Sequence, residues 1–138
     1  MLPIIGRREY VHLPDLCSKA VEAKIDTGAF RTAIHCERCE EVERDGKTVL
    51  IATLNLDGRG NQTHYFGRYR LRTIRNSFGQ TEQRYCVRTT LKIGRKRIVS
   101  DVSLSDRSGM KFQVLIGRKT IGKKFLVDVS NIHLLRKK

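Results

Sequence analysis

The sequence lacks the features of membrane, secreted and disordered proteins. No apolar run approaches the ~20 residues that a transmembrane helix needs, and the first charge, at Arg7, follows too short an apolar stretch for a signal peptide. No low-complexity tract occurs, and 39% of the residues are hydrophobic, so disorder is not expected. The 138 residues therefore predict one soluble, cytoplasmic domain, spanning 1–138.

Cysteine is scarce, and the motifs of metal-dependent and nucleotide-dependent enzymes are absent. Without an export signal, the four cysteines are expected to be reduced thiols. Cys36 and Cys39 form a CxxC beside His35, which is the only metal-like cluster, but the second pair of ligands that structural zinc typically needs is missing. Neither a His-Glu-x-x-His sequence nor a Gly-rich phosphate loop occurs. We therefore predict no metal and no other cofactor.

Positive charge is abundant and unevenly distributed along the chain. The net charge is +14; residues 1–83 hold 13 basic and 11 acidic residues, whereas residues 84–138 hold 15 basic and 3 acidic ones. Such a field favours anionic partners, namely nucleic acid, a membrane surface or an acidic peptide. The alternative is a basic surface that serves only solubility, and charge alone does not decide between the two.

Short runs of alternating apolar and polar residues, separated by turn residues, dominate the chain. At 20–26, Val21, Ala23 and Ile25 share one face, which is the period of a half-buried strand. Many such runs indicate an all-β barrel or sandwich, and residues 118–124 predict one short C-terminal helix. Further strands are predicted at 47–56, 63–75, 84–93, 97–105, 112–116 and 125–129, with turns at Asp45-Gly46 and 76–79.

Residues 24–29, Lys-Ile-Asp-Thr-Gly-Ala, carry the most chemical information. The apolar strand ends in Asp26, whose carboxylate can project into a cleft, and Gly28 permits a tight turn or the close approach of another chain. On these residues alone, Asp26 could equally cap local amides in an Asx-type turn. A second apolar strand that ends in Gly, at 114–117, precedes the predicted helix.

The combination of these two motifs in a β-rich chain resembles the retropepsin-like aspartic peptidases. In that family an apolar strand leads into Asp-Thr-Gly-Ala, and a later apolar-apolar-Gly strand packs beneath the catalytic loop. Residues 26–29 match the first motif, and residues 115–117 match the second. The resemblance implies a closed acid-protease barrel with Asp26, Thr27 and Gly28 as the catalytic residues.

The likeness is closer still to a bacterial and archaeal branch whose members are labelled ATP-dependent zinc proteases or RimK-associated peptidases. The resemblance covers nearly the whole chain, but neither zinc nor ATP use has support in the residues. His35 is expected instead to orient or pack beside the catalytic loop. The matching motifs are Ile5-Gly6-Arg7-Arg8-Glu9, the 24–29 loop with His35, Ser77-Phe78-Gly79, Asp106-Arg107, 115–118 and 125–128.

A single Asp-Thr-Gly implies that the active site is shared. The chemistry needs two carboxylates that hold one proton, because like charges ~3 Å apart cannot both ionise. This chain supplies only Asp26 in such a motif, so a second Asp26 is expected from another subunit across a two-fold axis. The resemblance implies that Thr27 bonds across that axis and locks the pair.

The expected substrate is an acidic peptide or protein. Retroviral enzymes commonly place acidic residues after Asp-Thr-Gly-Ala, whereas this chain has Phe30 and Arg31. A basic group beside the cleft favours acidic peptides. Kinship with RimK-type ligases, which append glutamates to proteins, implies a functional link and a glutamate-tailed target.

A flap is expected to cover the cleft and exclude water. The candidate is the Gly-containing stretch 58–69, with Tyr65 and Phe66 near its middle, and its alternative is an ordinary surface hairpin. Together with Ala29 and Arg31, these two aromatic residues are the predicted substrate-binding residues.

Two other functions compete with the peptidase. A nucleic-acid-binding β-barrel would explain the basic second half of the chain, with tyrosine and phenylalanine side chains for base stacking. A non-catalytic dimerisation or adaptor domain could use the same fold, because fold does not guarantee activity.

Overall fold

Strands joined by tight turns make up most of the computed structural model, which describes residues 1–75 and 78–135. Asn76 and Ser77, which belong to the predicted turn at 76–79 and to the Ser-x-Gly motif, lie outside the described residues. The helix α1 spans Arg118–Ile121. The strands are β1 (Ile4–Gly6), β2 (Arg8–Val11), β3 (Val21–Ile25), β4 (Thr32–His35), β5 (Arg38–Arg44), β6 (Lys47–Leu54), β7 (Gln62–Phe66), β8 (Arg70–Arg75), β9 (Thr81–Ile93), β10 (Lys96–Ser105), β11 (Val114–Ile116) and β12 (Leu126–Asp128).

The strands form three sheets, so the all-β class is confirmed and the closed barrel is not. The largest sheet has seven strands in the order β2-β3-β11-β4-β10-β9-β8; β5, β6 and β7 form a second sheet, and β1 pairs with β12 in a third. Closure of the largest sheet is limited to one bridge between His12 and Lys92, which links the end of β2 to β9. β8 pairs with β9 over Thr81–Cys86, so only the later part of β9 remains available to pair with β2.

One face of the seven-stranded sheet builds the core. Ala23, Ile25, Ile34 and Ile116 are buried at the centre of the sheet, where β11 pairs in parallel with β3 and antiparallel with β4. The residues between them in sequence point to the opposite face, because side chains alternate along a strand. In β3 this leaves Lys24 exposed between Ala23 and Ile25, and Asp26 follows at the end of the strand.

Local turn chemistry agrees with the sequence at the hairpin between β5 and β6. Asp45 and Gly46 both have positive φ, of 52° and 78°, as a two-residue hairpin turn requires. The predicted helix at 118–124 is shorter, since α1 ends at Ile121. Gly122 then leaves the helical region with ψ of 135°.

A buried carboxylate joins the two ends of the chain. Glu9 is fully buried and accepts backbone N–H bonds from Gly6 at 2.7 Å, from Leu134 at 2.9 Å and from Leu135 at 3.1 Å. The parallel pairing of β1 with β12 lies beside this clamp. Across the described residues, no helix is long and apolar enough to cross a membrane.

Candidate active site

The Asp26 loop is a tight turn held by backbone hydrogen bonds at the end of β3. The Asp26 N–H donates to the carbonyl of Ile116 at 2.9 Å, and the Ala29 N–H donates to the carbonyl of Asp26 at 3.2 Å. The Gly28 N–H donates to Oδ1 of Asp26 at 2.9 Å. The Asp26 side chain is half-buried, while Thr27 and Gly28 are exposed. The carboxylate is thus fixed at the surface, with Oδ1 engaged in the Asx-type contact that the sequence allowed.

The Leu-Ile-Gly motif packs against this loop, as the sequence predicted. A Cβ on Gly117 would lie 2.6 Å from the carbonyl carbon and oxygen of Arg31, so only glycine fits there. The Arg118 and Lys119 N–H groups donate to the carbonyls of Ala29 and Phe30, at 2.9 and 2.8 Å. These contacts tie the start of α1 to the candidate catalytic turn.

Buried hydroxyl groups support the loop from within. Oγ1 of Thr32 accepts the Gly117 N–H at 3.1 Å and lies 2.5 Å from Oγ1 of Thr120, which in turn is 2.9 Å from Oγ of Ser100. All three side chains are buried. Because each buried hydroxyl has a hydrogen-bond partner, this network fixes the position of the loop against α1 and β10 and leaves none of the three hydroxyl groups unpaired.

Cations surround the exposed side of the loop. Arg118 donates from Nη1 to the carbonyl of Thr27 at 2.9 Å. The Phe30 ring, which is 52% exposed, lies 5.5 Å from the guanidinium of Arg31, 5.8 Å from that of Arg118 and 6.0 Å from the ammonium of Lys119. Cations at this range interact favourably with an aromatic face.

A basic cavity of about 500 Å³ adjoins the base of the loop at Ile25. We call it the Arg107 pocket. Its wall includes Met110 and Phe112, and no acidic residue lines it. Five cationic side chains line it: Arg7, Arg8, Lys24, Arg107 and Lys111.

Arg107 is the cation of this pocket whose electrostatics connect it to Asp26. Burial is the main cause that lowers the pKa of Arg107, nearby Arg84 lowers that pKa further, and Asp26 raises it. Nε of Arg107 donates to the carbonyl of Phe112 at 3.1 Å, which directs the side chain along the pocket wall. A guanidinium so placed can bind a carboxylate beside the Asp26 loop.

His35 positions the Arg107 segment. Its Nδ1 accepts the backbone N–H of Arg107 at 2.8 Å, and its Nε2 contacts Oε1 of Glu37 at 2.9 Å. The side chain is buried. Hydrogen bonds with Ser108 hold the pKa of Asp106 below its usual value in the same turn. The two motifs at His35 and Asp106-Arg107 are therefore in direct contact, and an orienting role of His35 beside the catalytic loop stays a prediction.

The two thiols of the CxxC pair are hydrogen-bonded to each other. A hydrogen bond with Cys39 lowers the pKa of Cys36 and raises that of Cys39. The Cys36 thiol also contacts the carbonyl of Arg38 at 2.9 Å. Within 1–75 and 78–135, no group of three or more His, Cys, Asp or Glu side chains is placed to hold a metal ion.

Of the predicted substrate-binding residues, Ala29 and Arg31 belong to the loop and Tyr65 and Phe66 to β7. Arg31 lies with Nη1 at 3.4 Å from Oδ2 of Asp101, so its charge is partly matched within the chain. Tyr65 pairs with β6 and stacks 3.9 Å from the Arg44 guanidinium, while Phe66 packs against the core. The structure thus places the predicted flap aromatics in the three-stranded sheet.

A different hairpin projects from the seven-stranded sheet. β8 forms its free edge, and every residue of β8 and of Thr81–Tyr85 in β9 is exposed or half-buried. Every residue of 58–69 is likewise exposed or half-buried, and β7 is an edge strand of its own sheet, so that stretch stays the predicted flap.

Sequence reasoning did not identify the lining of the Arg107 pocket as site residues. The motifs that carry the resemblance include Arg8, Lys24 and Arg107. No local sequence pattern indicated that these residues line one cavity. The available signal was the excess of basic residues together with the Asp106-Arg107 pair.

Comparison with known proteins supports the likeness along nearly the whole chain. A family model described as the RimB-like retropepsin-like aspartic endopeptidases matches residues 4–138. A Legionella pneumophila protein of unknown function has a solved structure that superposes with a TM-score of 0.74 at 25% identity, covering 96% of this chain and 98% of that one.

Curated relatives carry a name that differs from that of the matching family, and they are much longer than this chain. A probable alpha-L-glutamate ligase of Desulfotalea psychrophila is 31% identical over 128 residues, which are 91% of this chain and 28% of that protein. Another, from Shewanella pealeana, is 27% identical over 98% of this chain and 30% of that protein. The chain therefore spans less than a third of the length of these relatives.

Proposed function

Because this chain belongs to the RimB-like family of retropepsin-like aspartic endopeptidases, we propose that it hydrolyses peptide bonds with Asp26 as one half of a catalytic dyad. The observation that carries the proposal is the geometry of the 26–29 turn. A carboxylate is held at the surface by backbone bonds, with the Gly117 strand locked beneath it. One oxygen is bonded to the Gly28 N–H, and the partner carboxylate is proposed to come from a second copy.

The dyad divides the acid and base work between two subunits. One Asp26 is ionised and takes a proton from the attacking water, while the other is protonated and donates to the carbonyl oxygen of the scissile bond. The pair titrates as a unit, because each charge opposes the other. Exposure of Thr27, Gly28 and Phe30 supports a second subunit at this surface.

The Arg107 pocket supports an acidic substrate. Five cations and no carboxylate line a cavity beside Ile25, so a peptide with glutamate or aspartate side chains would find charge complementarity next to the dyad. The charge of the loop agrees, since it continues with the basic Arg31 and not with an acidic residue that would repel such a peptide.

We further propose a link to glutamate ligation. Relatives of this chain are named probable alpha-L-glutamate ligases, and an enzyme of that kind produces glutamate-bearing products. A peptidase with a basic cleft is suited to shorten or remove such products. Glutamate-rich tails on proteins are therefore the proposed substrate.

Replacement of the carboxylate tests the catalytic role. Asp26→Asn should lower kcat/KM on a glutamate-rich peptide by on the order of a thousandfold, because the dyad loses its base. Asp45→Asn is the matched control, since it makes the same change in the exposed β5–β6 turn, where positive φ suits asparagine. Cleavage that persists in Asp26→Asn would exclude this mechanism, whereas no cleavage by the wild type would favour an adaptor role.

Subunit mixing tests the shared site. If each site needs Asp26 from both chains, an equilibrated equal mixture of wild type and Asp26→Asn retains about a quarter of the activity of undiluted wild type. About half would remain if each chain worked alone. The second result would overturn the dimeric dyad, and the peptidase proposal would then need a different second catalytic group.

A further inference from the structure

A second basic depression, of about 740 Å³, lies on the seven-stranded sheet near its free edge. We call it the Asp101 pocket, after the one acidic residue in its lining. Its wall comes from the turn before β8, from β8, β9 and β10, and from α1. The charged residues that line it are Arg68, Arg70, Arg72, Arg88, Asp101 and Lys119.

The carboxylate of Asp101 is shared by more cations than it can neutralise. Its Oδ2 lies 3.0 Å from Nη2 of Arg72, 3.4 Å from Nη1 of Arg31 and 3.6 Å from Nζ of Lys119. Asp101 is only 8% exposed, so one buried negative charge faces three positive ones. This arrangement holds the cations in place and leaves a net positive field above them.

Three more guanidinium groups extend the excess of charge. Arg68, Arg70 and Arg88 line the same depression, are exposed, and form no ion pair with any residue within 1–75 and 78–135. Guanidinium groups bind carboxylates in a bidentate manner more readily than ammonium groups do. The pocket is therefore equipped to bind several carboxylates at once.

The spacing of the arginines suits an extended peptide. Arg70 and Arg72 are two residues apart on β8, so they share one face and stand roughly 6.6 Å apart along the strand. Alternate side chains of an extended peptide have the same repeat. β8 is also the terminal strand of its sheet, so its outer edge can accept a further strand.

The pocket is continuous with the Asp26 loop. Lys119, which lines the pocket, donates its N–H to the carbonyl of Phe30 at 2.8 Å, and Arg31 reaches the pocket through Asp101. A chain that leaves the catalytic turn along this side would pass directly over the arginines.

We infer that the Asp101 pocket is a second binding site for an extended acidic peptide, one that holds substrate carboxylates remote from the scissile bond. Its role in catalysis rests on the proposed function, but binding at the pocket does not. The site would favour long glutamate tails over short ones, because a short peptide can occupy the Arg107 pocket alone.

Nucleic acid is less well matched to this pocket, because its aromatic side chain is already engaged. The Tyr69 hydroxyl donates to Oε2 of Glu41 at 2.5 Å, and the Tyr69 ring packs edge-on against Tyr85 at 5.8 Å. A ring held in this way offers little face for a base, whereas stacking supplies much of the affinity for single strands.

Binding to the full-length Asp26→Asn chain tests the inference without any need for cleavage. The probe is a fluorescein-labelled peptide of about ten glutamates, followed by anisotropy at fixed low salt. The pocket variant Arg70→Ala/Arg88→Ala should bind at least about tenfold more weakly, since two charge-assisted contacts are lost. The control Lys47→Ala/Arg95→Ala removes the same charge from two exposed positions, the first residue of β6 and the turn between β9 and β10, and should change affinity less than about twofold.

Three outcomes would overturn the inference. The first is an equal loss of affinity in both double variants, which would indicate an effect of bulk charge alone. The second is no loss of affinity in the pocket variant. The third is that a single-stranded RNA of equal charge binds more tightly than the peptide and loses affinity in the Arg70→Ala/Arg88→Ala variant. Because peptide binding is measured on the Asp26→Asn chain, the result does not depend on whether the proposed Asp26 dyad is correct. Conversely, loss of the second site would leave the dyad experiment interpretable.

Discussion

At the scale of single residues, Gly117 couples the two motifs that identified the chain. Its missing side chain lets β11 approach the backbone of the 26–31 loop, and its N–H is fixed by Thr32. Packing requires glycine at this position, which explains why the Leu-Ile-Gly motif could be recognised from the sequence. The proximity of Arg107 to Asp26 could not be predicted in the same way, because the two residues are far apart in sequence and only the fold brings them together.

Gly117→Ala should impair catalysis more than it impairs folding. A Cβ 2.6 Å from the Arg31 carbonyl forces the loop to move, so the Asp26 carboxylate leaves its position. We expect kcat/KM to fall by on the order of a hundredfold, as small misplacements of catalytic groups do. Gly109→Ala is the matched control, because nothing lies within 4 Å of a Cβ there and Gly109 lines neither basic pocket. Equal activity of the two variants in a peptide-cleavage assay would contradict the packing argument.

At the scale of elements, the strands with a clear two-residue period were predictable. β3 and β6 lie within the predicted runs, and β9 and β10 begin three residues and one residue before the runs predicted at 84–93 and 97–105. β4 was not predicted, because all four of its residues are buried and its pattern does not alternate. Barrel closure was also mispredicted, because it depends on which distant strands pair and not on any local period.

The clamp at Glu9 is an element-scale feature that decides stability. Glu9→Ala leaves three backbone N–H groups unpaired in a buried site, so the free energy of unfolding should fall by about 3 kcal/mol or more. Chemical denaturation followed by circular dichroism measures this change. Glu40→Ala, at a half-buried surface position whose carboxylate pairs with Arg38, should cost less than about 1 kcal/mol. Similar losses in both variants would mean that β1 and the C-terminal residues are held by other contacts.

At the scale of the whole molecule, the two basic pockets combine both halves of the chain. Sequence composition places the charge excess in residues 84–138, yet Arg7, Arg8 and Lys24 meet Arg107 and Lys111 in one cavity. Charge along the chain thus predicted an anionic partner but not the location of its site. Folding brings cations from both halves of the chain into two pockets beside the Asp26 loop.

Ionic strength should therefore separate acidic from neutral substrates. The Debye length falls from about 30 Å at 0.01 M salt to about 8 Å at 0.15 M, so long-range attraction by a chain of net charge +14 is screened over this range. We expect kcat/KM on a glutamate-rich peptide to fall at least about tenfold between these salts, and that on an uncharged peptide to change less than about twofold. Melting temperatures at both salts control for folding. A parallel response of the two peptides would mean that the basic pockets do not act on the substrate, and that the charge serves another anionic partner.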